Sequence, residues 1–224
     1  TSVNCWPSVN YDIGVINDVF SRLLPAGFYY KTFMWPASWW MTYEHVIRNA
    51  AGLGKAPTAA DPDTYDHMQT HCDVLIVGAG PAGIAAALAA GRTGARVILV
   101  DEQSEVGGML LGTRREIDGQ QGVDWIASAR SELAGMAEVR VLVRATAFAQ
   151  YDHNYIGVLE RRTDHLGPNA GADLGSRQRI WKIRAQQVVH AGGAIERPLT
   201  FSGNDRPGVM LASAAATYVN RWAV

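Results

Sequence analysis

Hydrophobic and polar positions divide the chain into three regimes. Up to Tyr43 aromatic side chains crowd together without a helical or strand period, apart from a predicted helix over Ile13–Leu24 stopped by Pro25. From Lys55 to His71 the chain turns polar, with Pro57, Asp61, Pro62 and Asp63, and reads as a linker. Beyond it, apolar runs alternate with helical spacing. Cys72–Val77 predicts a short strand, and Pro81–Thr93 an alanine-rich helix ended by Gly94. Pro81 stands at the first helical position, where a missing N–H costs nothing. Arg96–Val100 predicts a second strand, closed by Asp101 and Glu102. Val123, Ile126, Ala129, Arg130 and Leu133 fall near helical spacing and predict a helix over Gly122–Ala137. Val139–Val143 returns as a third strand.

Tyr155–Glu160 and Ile180–Ala185 read as half-buried strands of a β-meander around the glycine-rich loop Gly167–Gly175. Val188–Ala191 is a further strand running into Gly192-Gly193, and Met210–Val224 a closing helix in which the chain stops. Strands alternating with helices place the chain in the α/β class, with a Rossmann-like parallel sheet of the FAD/NAD(P)-binding type. The expected organisation is an aromatic-rich extension over 1–54, a linker over 55–71 and a dinucleotide-binding domain over 72–224. No second glycine fingerprint occurs before Val224, so a fold of the two-dinucleotide type is expected to be incomplete. Thr1 is not a natural start, which predicts an upstream portion.

Composition narrows the partners. Apolar residues make up 48% and charged residues 18%, which suits a packed core and argues against disorder. Lys and Arg total 20 against 21 Asp and Glu, without a basic run, so nucleic acid is not an expected partner. The chain has 2 cysteines, Cys5 and Cys72, too few and too far apart for a disulfide scaffold or a cysteine zinc site. They fit a reducing cytosol. Val74–Gly91 carries no charge over about the length of a membrane span. Its Gly-Ala-Gly-Pro-Ala-Gly interior suits a strand, a turn and a buried helix instead, and no membrane is expected.

The same interior, Gly78-Ala79-Gly80-Pro81-Ala82-Gly83, matches the GxGxxG fingerprint. Six residues alone are weak, but these follow a strand, open a helix and precede a second strand ending in an acid. Gly78 permits the tight turn, Gly80 lets backbone approach a pyrophosphate, and Gly83 packs helix on strand. The helix start, with Ala82 small enough not to obstruct it, faces the phosphates. Asp101 stands where a ribose-binding acid belongs, and Glu102 can share the task. These acids oppose NADP: a carboxylate about 4 Å from a 2′-phosphate charge costs on the order of 4 kcal/mol at an effective dielectric of about 20. NAD and FAD share the ADP half, so the fingerprint does not separate them. Gly107-Gly108-Met109 can close on the ribose, and a turn at Ala147-Phe148 on the adenine edge.

Several runs carry a family resemblance: Ser2–Ser8 (SVNCWPS), Ala26–Pro36 (AGFYYKTFMWP), Ile47–Lys55 (IRNAAGLGK), Ala191–Pro198 (AGGAIERP) and Asn204–Met210 (NDRPGVM). The chain resembles the α subunit of heterotetrameric sarcosine oxidase over essentially its whole length. Opine oxidase and hydrogen cyanide synthase subunits share the last two runs. The resemblance implies a cytoplasmic four-subunit enzyme, with β, γ and δ partners and a longer α chain. It oxidises sarcosine to glycine, reduces oxygen to hydrogen peroxide and delivers the one-carbon unit to tetrahydrofolate as 5,10-methylenetetrahydrofolate. It further implies NAD at this fingerprint, FAD in β, FMN at the α/β boundary and folate in a domain outside this chain. Carried over by position, NAD contacts fall on Gly78, Gly80, Ala82, Gly83, Asp101, Glu102, Gln103, Met109 and Phe148. Gly192 stands where many flavoproteins of this type have threonine, which alters the pyrophosphate surroundings.

Two further functions compete: an FAD-binding subunit of an opine or amine dehydrogenase, and an assembly module in which the nucleotide is a structural staple. His67-x-x-x-His71-Cys72 lacks an acidic or cysteine partner at ligand spacing, so no metal site is expected. The remaining histidines and serines form no acid/base pair or nucleophile elbow, and no catalytic residue is assigned. The isolated chain is expected to be inactive on sarcosine. The aromatic segment, with Lys31 inside it, reads either as core or as a docking face.

Overall fold

The computed structural model describes residues 5, 7–8, 10–23, 27, 33, 35–52, 58–167 and 175–224. The chain divides after Asp61 into two compact units. In the first, β1 (Pro7–Ser8) and β2 (Tyr11–Asp12) form a small antiparallel pair. The expected helix over Ile13–Leu24 is broken into a 3-10 turn (Ile13–Val15), α1 (Ile16–Val19) and a second 3-10 turn (Ser21–Leu23). Asp12 caps the first of these turns, its Oδ1 accepting the Gly14 N–H at 2.9 Å. Leu24 and Pro25 lie outside the described residues, as do Phe28, Tyr29, Tyr30 and Lys31. A 3-10 turn at Ala37–Trp39 leads into α2 (Trp40–Ala50). There the Tyr43 and Phe33 rings pack at a tilt with centroids 5.3 Å apart, while Trp35, Trp39 and Met41 are exposed.

The second unit is built on one six-stranded mixed sheet. Its strands are β3 (Tyr65–Val77), β4 (Val97–Val100), β7 (Val139–Leu142), β8 (Ala145–Tyr151), β9 (Tyr155–Arg161) and β10 (Gln178–His190). A separate small pair is formed by β5 (Glu116–Ile117) and β6 (Gln120–Gln121). The order across the main sheet is β7-β4-β3-β10-β9-β8. β7, β4, β3 and β10 run parallel, and β10, β9 and β8 form the antiparallel meander. Side chains alternate across the sheet as a period of two demands. Ile76, Val97 and Leu99 face a core shared with α3 (Pro81–Arg92) and α4 (Gly122–Ala134), through Ile84, Ala87, Ile126 and Leu133. Leu75, Ile98 and Val100 face the opposite core, which the meander closes with Ile156, Val158, Trp181 and Ile183. β4 is therefore buried on both faces and reads Val-Ile-Leu-Val.

Within the main sheet, three strands differ from the sequence expectation. β3 begins at Tyr65, so the second part of the expected 55–71 linker is strand. Tyr65–His71 pair with β10, whereas β4 pairs only with Val74–Val77, which leaves the upper half of β3 one-sided and polar. The expected turn at Ala147-Phe148 lies inside β8, which is bulged between Ala147 and Ala149. The runs Ile180–Ala185 and Val188–Ala191 belong to one strand, β10, which leaves its pairing with β9 after Arg184 and continues beside β3. The closing helix is α5 (Ala212–Thr217), continued as a wider π turn over Tyr218–Trp222.

Candidate dinucleotide-binding site

Parallel strands β4, β3 and β10 end side by side, and their following residues form the site. The three fingerprint glycines are there for different reasons. Gly78 has φ +103°, and a Cβ on it would come within 2.3 Å of the Ala191 carbonyl oxygen, because β10 presses against the loop. A Cβ on Gly83 would lie 1.8 Å from the Gly78 oxygen, so α3 can pack on β3 only through glycine. Gly80 is unlike both. Its backbone, at φ −70° and ψ −176°, is open to any residue, and a Cβ there would meet no atom within 4 Å. Packing does not require that glycine; a ligand lying against the backbone would.

Over Gly80 lies a groove of about 640 Å³. The first intrahelical bond of α3 runs from the Ile84 N–H to the Gly80 carbonyl at 2.9 Å. The Ala82 and Gly83 N–H groups precede it, at the positive end of the helix dipole. Asp101, just past β4, lines one wall. Its Oδ2 accepts the Ala79 N–H at 2.6 Å and its Oδ1 the Gln103 N–H at 2.8 Å. A carboxylate has about four lone-pair sites, so each oxygen retains capacity toward a sugar hydroxyl. Glu102 and Gln103 continue that wall, with Ala145, Thr146 and Ala147 from β8. Gly108, at φ +53°, brings the chain so near that its Cβ would stand 3.0 Å from the Gly80 Cα, and Met109 follows it into the groove.

Of the residues singled out in the sequence, Gly78, Gly80, Ala82, Asp101, Glu102, Gln103, Gly108 and Met109 line this one groove. Gly83 stands behind it as the packing contact between α3 and the loop. Phe148 is the extra residue of the β8 bulge, and its ring lies over Gly157, where a Cβ would meet it at 2.7 Å, rather than in the groove wall. Among the lining residues not singled out in the sequence are Glu196 and Ser213, joined by a 2.8 Å bond from the Ser213 N–H to Glu196 Oε2. Bonding to Ser213 holds the Glu196 carboxyl below its usual range. The available signal was an acid soon after the end of β10.

The other sequence candidates point apart. On β3, Cys72 turns inward and is 2% exposed, and burial pushes its thiol up to about 11. His67 and His71 face outward, with His71 bonded to Arg96. No helix among the described residues is long and apolar enough to cross a membrane.

Fold and groove together define the class: an α/β domain with the Rossmann-like FAD/NAD(P)-binding fold, similar to the FAD-dependent oxidoreductases. The sequence model of that family, FAD dependent oxidoreductase, matches residues 73–163. L-proline dehydrogenase from P. horikoshii shares the fold, with a TM-score of 0.56 and 25% identity over 76% of this chain and 32% of that one. More specifically, the chain is a homologue of the sarcosine oxidase α subunit. It is 54% identical over all 224 residues to that subunit from Rhizobium meliloti (strain 1021). Identity to the subunit from Corynebacterium sp. (strain P-1) is 52% over 77% of the chain. The chain spans 22% and 18% of the lengths of these two relatives.

Proposed function

We propose that the groove holds a dinucleotide by its ADP half, and that the dinucleotide is NAD. The observation that carries this reading is Gly80: a glycine that the fold does not need, at the start of a helix and beside Asp101. The Ala82 and Gly83 N–H groups receive the pyrophosphate, and Asp101 accepts the adenosine ribose hydroxyls. The same acid, with Glu102 beside it, repels the 2′-phosphate of NADP. NAD rather than FAD follows from the likeness to the sarcosine oxidase α subunit. The FAD-dependent family match favours FAD as the second reading.

On the same likeness, the chain serves a cytoplasmic sarcosine oxidase built with β, γ and δ subunits and further α sequence. That enzyme converts sarcosine, oxygen and tetrahydrofolate to glycine, hydrogen peroxide and 5,10-methylenetetrahydrofolate. FAD and FMN supply the redox chemistry in that complex. Residues of this chain bind and orient a nucleotide, and the chain alone does not turn over sarcosine. Mass spectrometry of the small molecule released by heating the purified protein tests the assignment. NAD is the expected species; FAD in its place would overturn the NAD reading in favour of the second.

A further inference from the structure

A polar cavity of about 370 Å³ shares Glu102 and Gln103 with the nucleotide groove. Its other walls carry Arg144, Arg161 at the end of β9, and Asp164 and His165 of a 3-10 turn over Asp164–Leu166. Asp164 is already engaged: Oδ1 accepts from Arg177 Nε at 2.7 Å and Oδ2 from Gln178 Nε2 at 2.8 Å. Arg161 Nη2 donates to the Glu102 carbonyl at 2.9 Å, which uses one of the five donors of its guanidinium. Among the described residues, neither the Arg144 nor the Arg161 guanidinium is ion-paired to a carboxylate. Two guanidiniums and an imidazole thus face one unengaged acid, Glu102, and the cavity carries surplus positive charge.

The backbone of Arg144 is a second, independent observation. It has φ +53°, a left-handed conformation that costs any residue with a Cβ. Asp118, His153 and Asn154 share it, but they stand in tight turns and are residue types that tolerate it. Arg144 stands instead in the short link from β7 to β8. It is clamped there: its N–H donates to the Gln103 carbonyl at 2.7 Å, and its own carbonyl accepts the Arg161 N–H at 2.9 Å. Glycine would make the same two bonds without strain. The backbone therefore favours glycine, and the arginine is explained by the cavity that its side chain lines.

We propose that this cavity binds a phosphate group. A phosphate monoester carries close to two negative charges at neutral pH and three strong acceptor oxygens. Two guanidiniums match that charge and present planar forks of donors to those oxygens, with the His165 ring as a further donor. The volume exceeds that of a bare ion and leaves room for a small molecule that carries the phosphate. The inference stands whether or not the neighbouring groove holds a dinucleotide.

Thermal unfolding of the full chain in chloride, inorganic phosphate and glycerol 3-phosphate, at matched ionic strength, tests it. Wild type is expected to show a saturable rise in unfolding temperature with either phosphate and none with chloride. Arg144→Gly should unfold in chloride at the same temperature as wild type or higher, because glycine suits φ +53°. Its phosphate affinity should nevertheless fall about fivefold or more, and Arg161→Gln should lose as much. Arg114→Ala, at an exposed arginine outside the cavity, should respond as wild type does. A tighter response to glycerol 3-phosphate than to inorganic phosphate identifies a monoester as the natural occupant, and the reverse order the free ion; either places a phosphate group here. Equal unfolding temperatures of wild type in phosphate and chloride would overturn the site. So would a full phosphate response in both Arg144→Gly and Arg161→Gln, or an equal loss in Arg114→Ala, since the ion would then bind elsewhere or by bulk charge alone.

Discussion

Asp101 Oδ2 accepts the Ala79 N–H at 2.6 Å, tying the end of β4 to the middle of the glycine loop. Ala79 is 0% exposed, so without the carboxylate its N–H has no access to water as a substitute. Asp101 thus shapes the loop before any ligand arrives, and in the proposed function its remaining lone pairs face the sugar. Asp101→Ala is expected to lose stability by about 1–3 kcal/mol for the orphaned donor, and nucleotide affinity by about ten- to hundredfold. Asp101→Asn, which keeps one acceptor oxygen, should lose less stability. Urea unfolding and calorimetry read the two effects separately; full stability in Asp101→Ala would mean that the loop holds its own shape.

Gly80 and Gly83 should respond oppositely to alanine. Gly80→Ala meets no atom of the protein and has an ordinary backbone conformation, so stability should stay the same or rise by about 0.4–1 kcal/mol. Its methyl group takes the space over the loop, and nucleotide affinity should fall. Gly83→Ala drives a Cβ to 1.8 Å from the Gly78 oxygen and should cost about 1–3 kcal/mol or more. Equal losses of stability in both variants would contradict this division of roles.

Most of the groove was legible because it is made by local geometry. A strand, a glycine turn and a helix start are contiguous in sequence, and Asp101 follows the next apolar run directly, so spacing carried the information. Glu196 and Ser213 were not legible, since their meeting depends on how α5 folds back to the end of β10. The strand β8 around Phe148 was not foreseen, and its bulge at that residue turns the ring toward Gly157. Residues Tyr65–His71 read as linker for a related reason. A strand paired along one edge keeps polar side chains on both faces, and no alternation marks it.

Phe148→Ala tests whether the Phe148 ring takes part in nucleotide binding. Its ring is 56% exposed and covers Gly157, so removing it should cost about 1 kcal/mol of stability or less. NAD affinity should stay within about twofold, well under the tenfold that 1.4 kcal/mol represents. A large loss of affinity would return Phe148 to the adenine pocket.

Asp66 is one of the carboxyls expected to contribute to acid sensitivity. Its carboxyl is held below the ordinary aspartate value of 3.8, first by the Ser176 hydroxyl and then by Arg179. The Ser176 hydroxyl donates to Asp66 at 2.5 Å, and Arg179 pairs with it at 2.9 Å. A depressed pKa gives stability that is fully present above the unfolded value and is lost as pH falls through the folded one. Ser176→Ala should therefore lower the urea midpoint at neutral pH and flatten its decline below about pH 4. An unchanged slope between neutral and acid pH would remove Asp66 from the account.

Calorimetric titration of NAD into wild-type protein and Gly80→Ala, with ADP as competitor, tests the central claim most directly. The account predicts one site in the wild type, displacement of NAD by ADP, and affinity at least about tenfold weaker in a Gly80→Ala protein that unfolds no more easily than wild type. NAD binding that ADP does not displace, or that survives Gly80→Ala unchanged, would contradict it.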